Sequence, residues 1–153
     1  MVLSFLLNLF FYVSGLSQKA SLLLASGVMA TSYFISNHLI DLTNATSILY
    51  IEWAIYDLLT IAFIVIIHKC FSLTYSCAVK YVFAGLTINI LLFLSLYTDL
   101  VLLGKPEHWW FWDFFSVGIN TIDIIIVCVL IVNRDFLWLV RLQHKIFRTS
   151  ATQ

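Results

Sequence analysis

The sequence predicts an all-α, polytopic membrane helix bundle of five spans, followed by a basic amphipathic tail. Three observations carry that prediction. Hydrophobic residues fill 62% of the 153 positions and charged ones only 10%, against roughly half and a quarter in soluble domains. Mean hydropathy is +1.01, more apolar surface than so short a chain could hide in a core of its own. The apolar residues also gather in runs, at 2–16, 20–40, 47–67, 76–103 and 109–132, parted by polar breaks such as "SQK", "DLTNATS" and "GKPEH". Hydrocarbon is the expected solvent, residues 1–132 the expected bundle and 133–153 the expected cytoplasmic tail.

The first run is the shortest. A helix needs about 20 residues to cross a 30 Å hydrocarbon core, and this run of 15 reaches only roughly 22 Å at 1.5 Å per residue. It is read as tilted, re-entrant or extended by its neighbours. Five spans are preferred, with four as the alternative if residues 2–16 do not fully cross. A removed secretory leader is rejected, because the run lacks a basic start and an A-x-A-like site and a second apolar run follows at once. Ser4, Asn8 and Tyr12, at i, i+4 and i+8, give it one polar side.

The second run pairs Ser26 with Ala30 and Gly27 with Thr31, a small-xxx-small pattern suited to close helix approach within the chain or with a second copy. The third carries Asp57 near its middle with Trp53 and Thr60 on the same face, while Glu52 is turned away by about 140°. The fourth holds Asn89 at mid-depth and Asp99 nearer its end. Gly104 and Pro106 mark the next loop, where a proline can begin a helix without breaking one. The fifth opens on "HWWFWDFF" and continues with Asp113, Ser116, Asn120 and Asp123 at i, i+3, i+7 and i+10, a polar stripe along one side.

Basic residues set the expected orientation. With five spans and a cytoplasmic C-terminus, Lys19, Lys69, Lys80, Arg134, Arg141, Lys145 and Arg148 lie inside and only Lys105 outside, seven against one. The N-terminus is then outside. Trp53, Trp109, Trp110 and Trp112 mark the outer boundary and Trp138 the inner one, as headgroup-level anchors. "NAT" at 44–46 fits a glycosylation sequon on the outer side.

A charged side chain in lipid costs on the order of 3 kcal/mol, so the intramembrane acids face a bundle interior or a wet cavity. There they must be protonated, paired or hydrated. Glu52, Asp99 and Asp113 are expected at an outer vestibule that attracts cations, with Asp57, Asn89, Asn120 and Asp123 binding or relaying them deeper. The competing use of these groups is helix-to-helix hydrogen bonding, at about 0.6 kcal/mol per bond.

In the tail, Arg134, Arg141, Lys145 and Arg148 occupy one side and Leu139, Leu142 and Ile146 another. Such a helix lies against anionic headgroups, at about 1 kcal/mol per basic group, or docks a cytoplasmic partner. At the inner face His68, Cys70 and Cys77 come close in sequence, but without a C-x-x-C pair no metal is expected. The three cysteines, Cys70, Cys77 and Cys128, are expected reduced and free.

No H-E-x-x-H, G-x-S-x-G or glycine-rich phosphate loop is present. The topology divides His38, His68, His108 and His144 between the two faces. An enzyme is therefore not expected, nor a cofactor. A formal net charge of zero gives no ground for nucleic acid as a partner. The expected function is a channel or cation/proton pathway subunit of the bacterial inner or plasma membrane, a homo-oligomer or part of a membrane complex. The alternative is a membrane sensor or anchor that recruits a cytoplasmic protein through the tail.

Overall fold

The computed structural model describes residues 1–16, 20–39, 48–104 and 109–133. It contains five helices in this region: α1 (Val2–Val13), α2 (Ala20–Leu39), α3 (Ile48–Cys70), α4 (Cys77–Tyr97) and α5 (Trp110–Val132). A π-helical turn, Thr98–Leu102, prolongs α4. Among the described residues there is no strand. The tail residues Arg134, Arg141, Lys145 and Arg148, and Pro106, lie outside them.

Three helices are long and apolar enough to cross a membrane: α3, α4 with its π turn, and α5, of 23, 26 and 23 residues. At 1.5 Å per residue each covers about 34 Å or more, against a core of about 30 Å. The expectation of five spans is corrected accordingly. Helix α1 has only 12 residues, about 18 Å, because the chain turns at Ser14 and takes a left-handed conformation at Gly15, with φ +71°. Helix α2 has 20 residues, but Ser21, Ser26, Ser32, Ser36, Asn37 and His38 dilute its apolar character.

Contacts between helix ends give an alternating up-and-down order. The start of α2 meets the end of α3 through Ser21 Oγ and His68 Nε2, 2.8 Å apart. The end of α4 meets the start of α5 where Trp109 Nε1 donates to Asp99 Oδ2 at 2.8 Å. The start of α4 meets the end of α5 where Ala78 N donates to Asn133 Oδ1 at 3.4 Å. One end of the bundle thus carries Lys69 and Lys80 and is called the basic end; the other, with Trp109 and Trp110, is the tryptophan end.

Helix termini leave backbone groups without partners, and side chains meet several of these needs. Ser76 caps α4 by accepting from Val79 N at 3.4 Å. Asn133 stops α5 in a left-handed conformation, φ 48° and ψ 41°, while its side chain takes an orphan N–H of α4. Asn8 Nδ2 donates at 3.0 Å to the carbonyl of Leu130, within the last turn of α5. That bond places Asn8 of α1 near the basic end. Phe5 packs against Gly27, where an added Cβ would lie 3.2 Å from its ring. Helix α1 therefore runs antiparallel to α2, wedged between α2 and α5, and fills only the half of that cleft nearest the basic end.

The core of that half is apolar. Met29 from α2, Ile64 from α3, Val79, Val82 and Leu86 from α4, and Ile126 and Leu130 from α5 are each 0–1% exposed. Gly85 lets α4 and α5 close: a Cβ there would stand 2.7 Å from Ile126 Cδ1. Outside, the pattern is inverted relative to a soluble protein. Leu3, Leu6, Phe10, Leu58, Phe63, Val117 and Ile124 are exposed, while Ser4, Asn8, Ser26, Asp57, Thr60, His68, Asn89 and Asp99 are buried. An apolar exterior over a polar-dotted interior is the arrangement hydrocarbon demands. Of the small-residue pairs on α2, Ser26 and Ala30 are buried and Gly27 receives Phe5, so these three serve contacts within the chain, while Thr31 is exposed.

Candidate functional site: a carboxylate-floored cavity in mid-bundle

On the tryptophan side of the apolar core, the unfilled half of the α2/α5 cleft opens into a cavity of about 260 Å³. Four helices line it. From α2 come Ser32, Tyr33, Ser36 and Asn37, one face of the helix at spacings of three and four. From α3 come Trp53, Tyr56 and Asp57, and from α4 Asn89 and Phe93. The α5 wall is Phe115, Ser116, Ile119, Asn120 and Asp123, with Asn120 and Ser116 exposed at the mouth.

The floor is polar and bonded across helices. Tyr33 Oη donates to Asp123 Oδ1 at 2.6 Å, joining α2 to α5. Asn89 Nδ2 donates to the same oxygen at 3.3 Å, adding α4. The geometry leaves two acceptors over: Asp57 Oδ2 and Asn89 Oδ1 are buried without a hydrogen-bond partner. Asp57 is 8% exposed and Asn89 1%. No lysine or arginine among the described residues lines the cavity.

Beside the floor a second hydrogen-bond chain ties α2 to α3. Thr60 Oγ1 donates to Tyr56 O at 2.7 Å, so its one hydrogen is used. Ser32 Oγ must then donate to Thr60 Oγ1, the pair these hydroxyls form. Above the floor stand four rings in mutual contact. Tyr50 meets Trp53 (centroids 5.7 Å), Trp53 meets Phe93 (5.4 Å), Phe93 meets Phe115 (5.8 Å) and Phe115 meets Tyr50 (5.9 Å). The tilted and edge-on angles, 49° to 87°, are those aromatic pairs prefer.

Of the residues the sequence assigns to a pathway, Asp57, Asn89, Asn120 and Asp123 are brought together here. Glu52, Asp99 and Asp113 are not. Glu52 and Asp113 are exposed, and Asp99, 4% exposed, accepts the Trp109 indole at the α4–α5 turn. Tyr33 is the partner that sequence reading missed. A tyrosine within an apolar run carries no signal of its own; its position four residues after Met29 and seven after Ser26 would have put it on the buried side of α2.

His68 does not join a metal-binding set. It is 2% exposed, its Nδ1 donates to Ile64 O at 2.8 Å and its ring stacks on Tyr75 at 4.9 Å. Cys70 is exposed and Cys77 half-buried. Among the described residues no three His, Cys, Asp or Glu side chains are grouped to hold a metal ion.

Comparison of the chain with protein-family models, with curated proteins and with solved structures gives no match. The functional reading therefore stands on the geometry of the cavity.

Proposed function

We propose that this chain is a membrane-embedded cation-binding protein, with Asp57 and Asp123 forming the mid-membrane station of a proton or monovalent-cation pathway. In this reading α2 crosses together with α3, α4 and α5, and α1 enters half-way. The carrying observation is the pair of buried acceptors, Asp57 Oδ2 and Asn89 Oδ1, left without partners beside a second carboxylate. A buried polar group without a partner costs about 1–3 kcal/mol, more when charged. Two such groups beside one cavity need a partner from it, which water or a bound cation can supply. Intramembrane carboxylates facing a polar cavity are the usual stations of ion and proton paths.

The direction of access supports a gated site over an open pore. Along each helix, the residues one or two turns toward the basic end of the floor belong to the sealed core: Met29 below Tyr33, Ile64 below Asp57, Leu86 below Asn89, Ile126 below Asp123. The cavity is therefore closed toward the basic end, and passage that way needs a second conformation in which this layer parts.

The test is flux in liposomes loaded with a pH-sensitive dye, driven by a proton or monovalent-cation gradient. Parent protein is expected to dissipate the gradient, and Asp123→Asn and Asp57→Asn each to slow it at least tenfold. Gradients that persist over folded parent protein, or variants as fast as the parent, would overturn the reading. Recruitment of a cytoplasmic partner rests on residues 134–153, outside the described ones, and no observation favours it over the cavity.

A further inference from the structure

Resting on the reading above, we propose that the ligand of this cavity is a primary alkylammonium group, and that a bare alkali ion is not its preferred occupant. Size is the first argument. The volume of about 260 Å³ equals roughly eight or nine waters at about 30 Å³ each. A dehydrated alkali ion needs a close shell of oxygens in place of its hydration water, whereas here the floor offers oxygens on one side and rings on the other.

Donor matching is the second argument. A primary ammonium presents three N–H donors and no acceptor. The side chains of Asp57, Asn89 and Asp123 all line the same cavity, and Asp57 Oδ2 and Asn89 Oδ1, buried beneath its surface, have no hydrogen-bond partner within the described chain. Tyr33 and the Asn89 amide hold Asp123 in place by its Oδ1.

The wall above the floor is aromatic. Trp53, Tyr56, Phe93 and Phe115 line the cavity toward the tryptophan end, and ring-to-ring packing fixes three of them. Ring faces attract an ammonium through their quadrupole and give apolar surface to a short alkyl chain. Trp53, expected from the sequence as a headgroup anchor, is in this arrangement a binding wall.

The same –NH3+ can reach the mouth free in solution or as the headgroup amine of a lipid, since the cavity opens between α2 and α5 beside exposed Asn37 and Asn120. The experiment is calorimetric titration of the full chain in detergent with propylammonium chloride, against sodium, potassium and tetramethylammonium chlorides. A second arm repeats it in nanodiscs of ethanolamine-headgroup or choline-headgroup lipid.

Saturable heat is expected with propylammonium, at least tenfold weaker with tetramethylammonium, which has no N–H, and absent with sodium and potassium. Asp57→Asn and Asp123→Asn are each expected to weaken it at least tenfold, and Trp53→Leu threefold to tenfold, with Trp53→Phe restoring most of the affinity. Trp53→Leu, away from the floor, serves as the check if an aspartate variant does not fold. Competition by ethanolamine headgroups alone assigns the lipid source, and its absence the free amine; either supports the proposal. Propylammonium heat equal to that of sodium chloride, or indifferent to all three variants, would overturn it. If carboxylate-dependent proton or alkali-ion flux persisted in that case, the pathway reading would survive and only the ammonium assignment would fall. Loss of both would sink both.

Discussion

Removing the Tyr33 hydroxyl tests the central contact of the bundle. In Tyr33→Phe the ring stays and only the donor to Asp123 Oδ1 is lost. Hydrogen bonds between membrane helices average about 0.6 kcal/mol and reach about 1.7. At 2.6 Å this one has the short length of an O–H donor on a carboxylate oxygen, a class about twice as strong as neutral pairs. Doubling the average gives about 1.2 kcal/mol. The Asn89 bond to the same oxygen, at 3.3 Å, is long and cannot make up the difference. The assay is a double-mutant cycle of Tyr33→Phe with Asp123→Leu, read by reversible unfolding in mixed detergent micelles. A coupling of about 1 kcal/mol is expected. A coupling under about 0.3 kcal/mol, the level at which independent sites already add, would refute the claim that this bond joins α2 to α5.

Asn89→Leu swaps a buried, half-satisfied amide for an apolar side chain of similar size, so its stability is expected to equal or exceed the parent's by up to about 1 kcal/mol, while gradient dissipation in liposomes falls at least tenfold. Gly85→Leu drives atoms into Ile126, whose Cδ1 would lie 2.7 Å from a Cβ alone, and is expected to cost about 1–3 kcal/mol in the same unfolding assay. Trp109→Phe strips the buried Asp99 of its indole donor and is expected to cost about 1–3 kcal/mol, with faster proteolysis at the α4–α5 turn.

Much of the bundle is legible in the sequence. Runs at 47–67, 76–103 and 109–132 became helices over Ile48–Cys70, Cys77–Leu102 and Trp110–Val132, because continuous apolar character and end-cap residues are local properties. The polar stripe of α5 is also local, and Ser116, Asn120 and Asp123 do face one cavity. So is the turning away of Glu52 from Asp57. Helix α1 was harder, since the run to Leu16 includes Gly15, where a left-handed residue ends the helix early. What periodicity does not encode is which stripe meets which. Tyr33 acquires meaning only opposite Asp123, 90 positions away, and Asp99 and Asp57, both acids in apolar runs, part company only because an indole reaches one of them.

The short first helix also gives the molecule a taper. Among the described residues five helices occupy the basic end and four the tryptophan end, and one helix about 10 Å across adds roughly 80 Å² of cross-section at the basic end. A wedge of that kind relieves lateral stress where the bilayer bends toward its narrow side and adds to it where the bend is reversed.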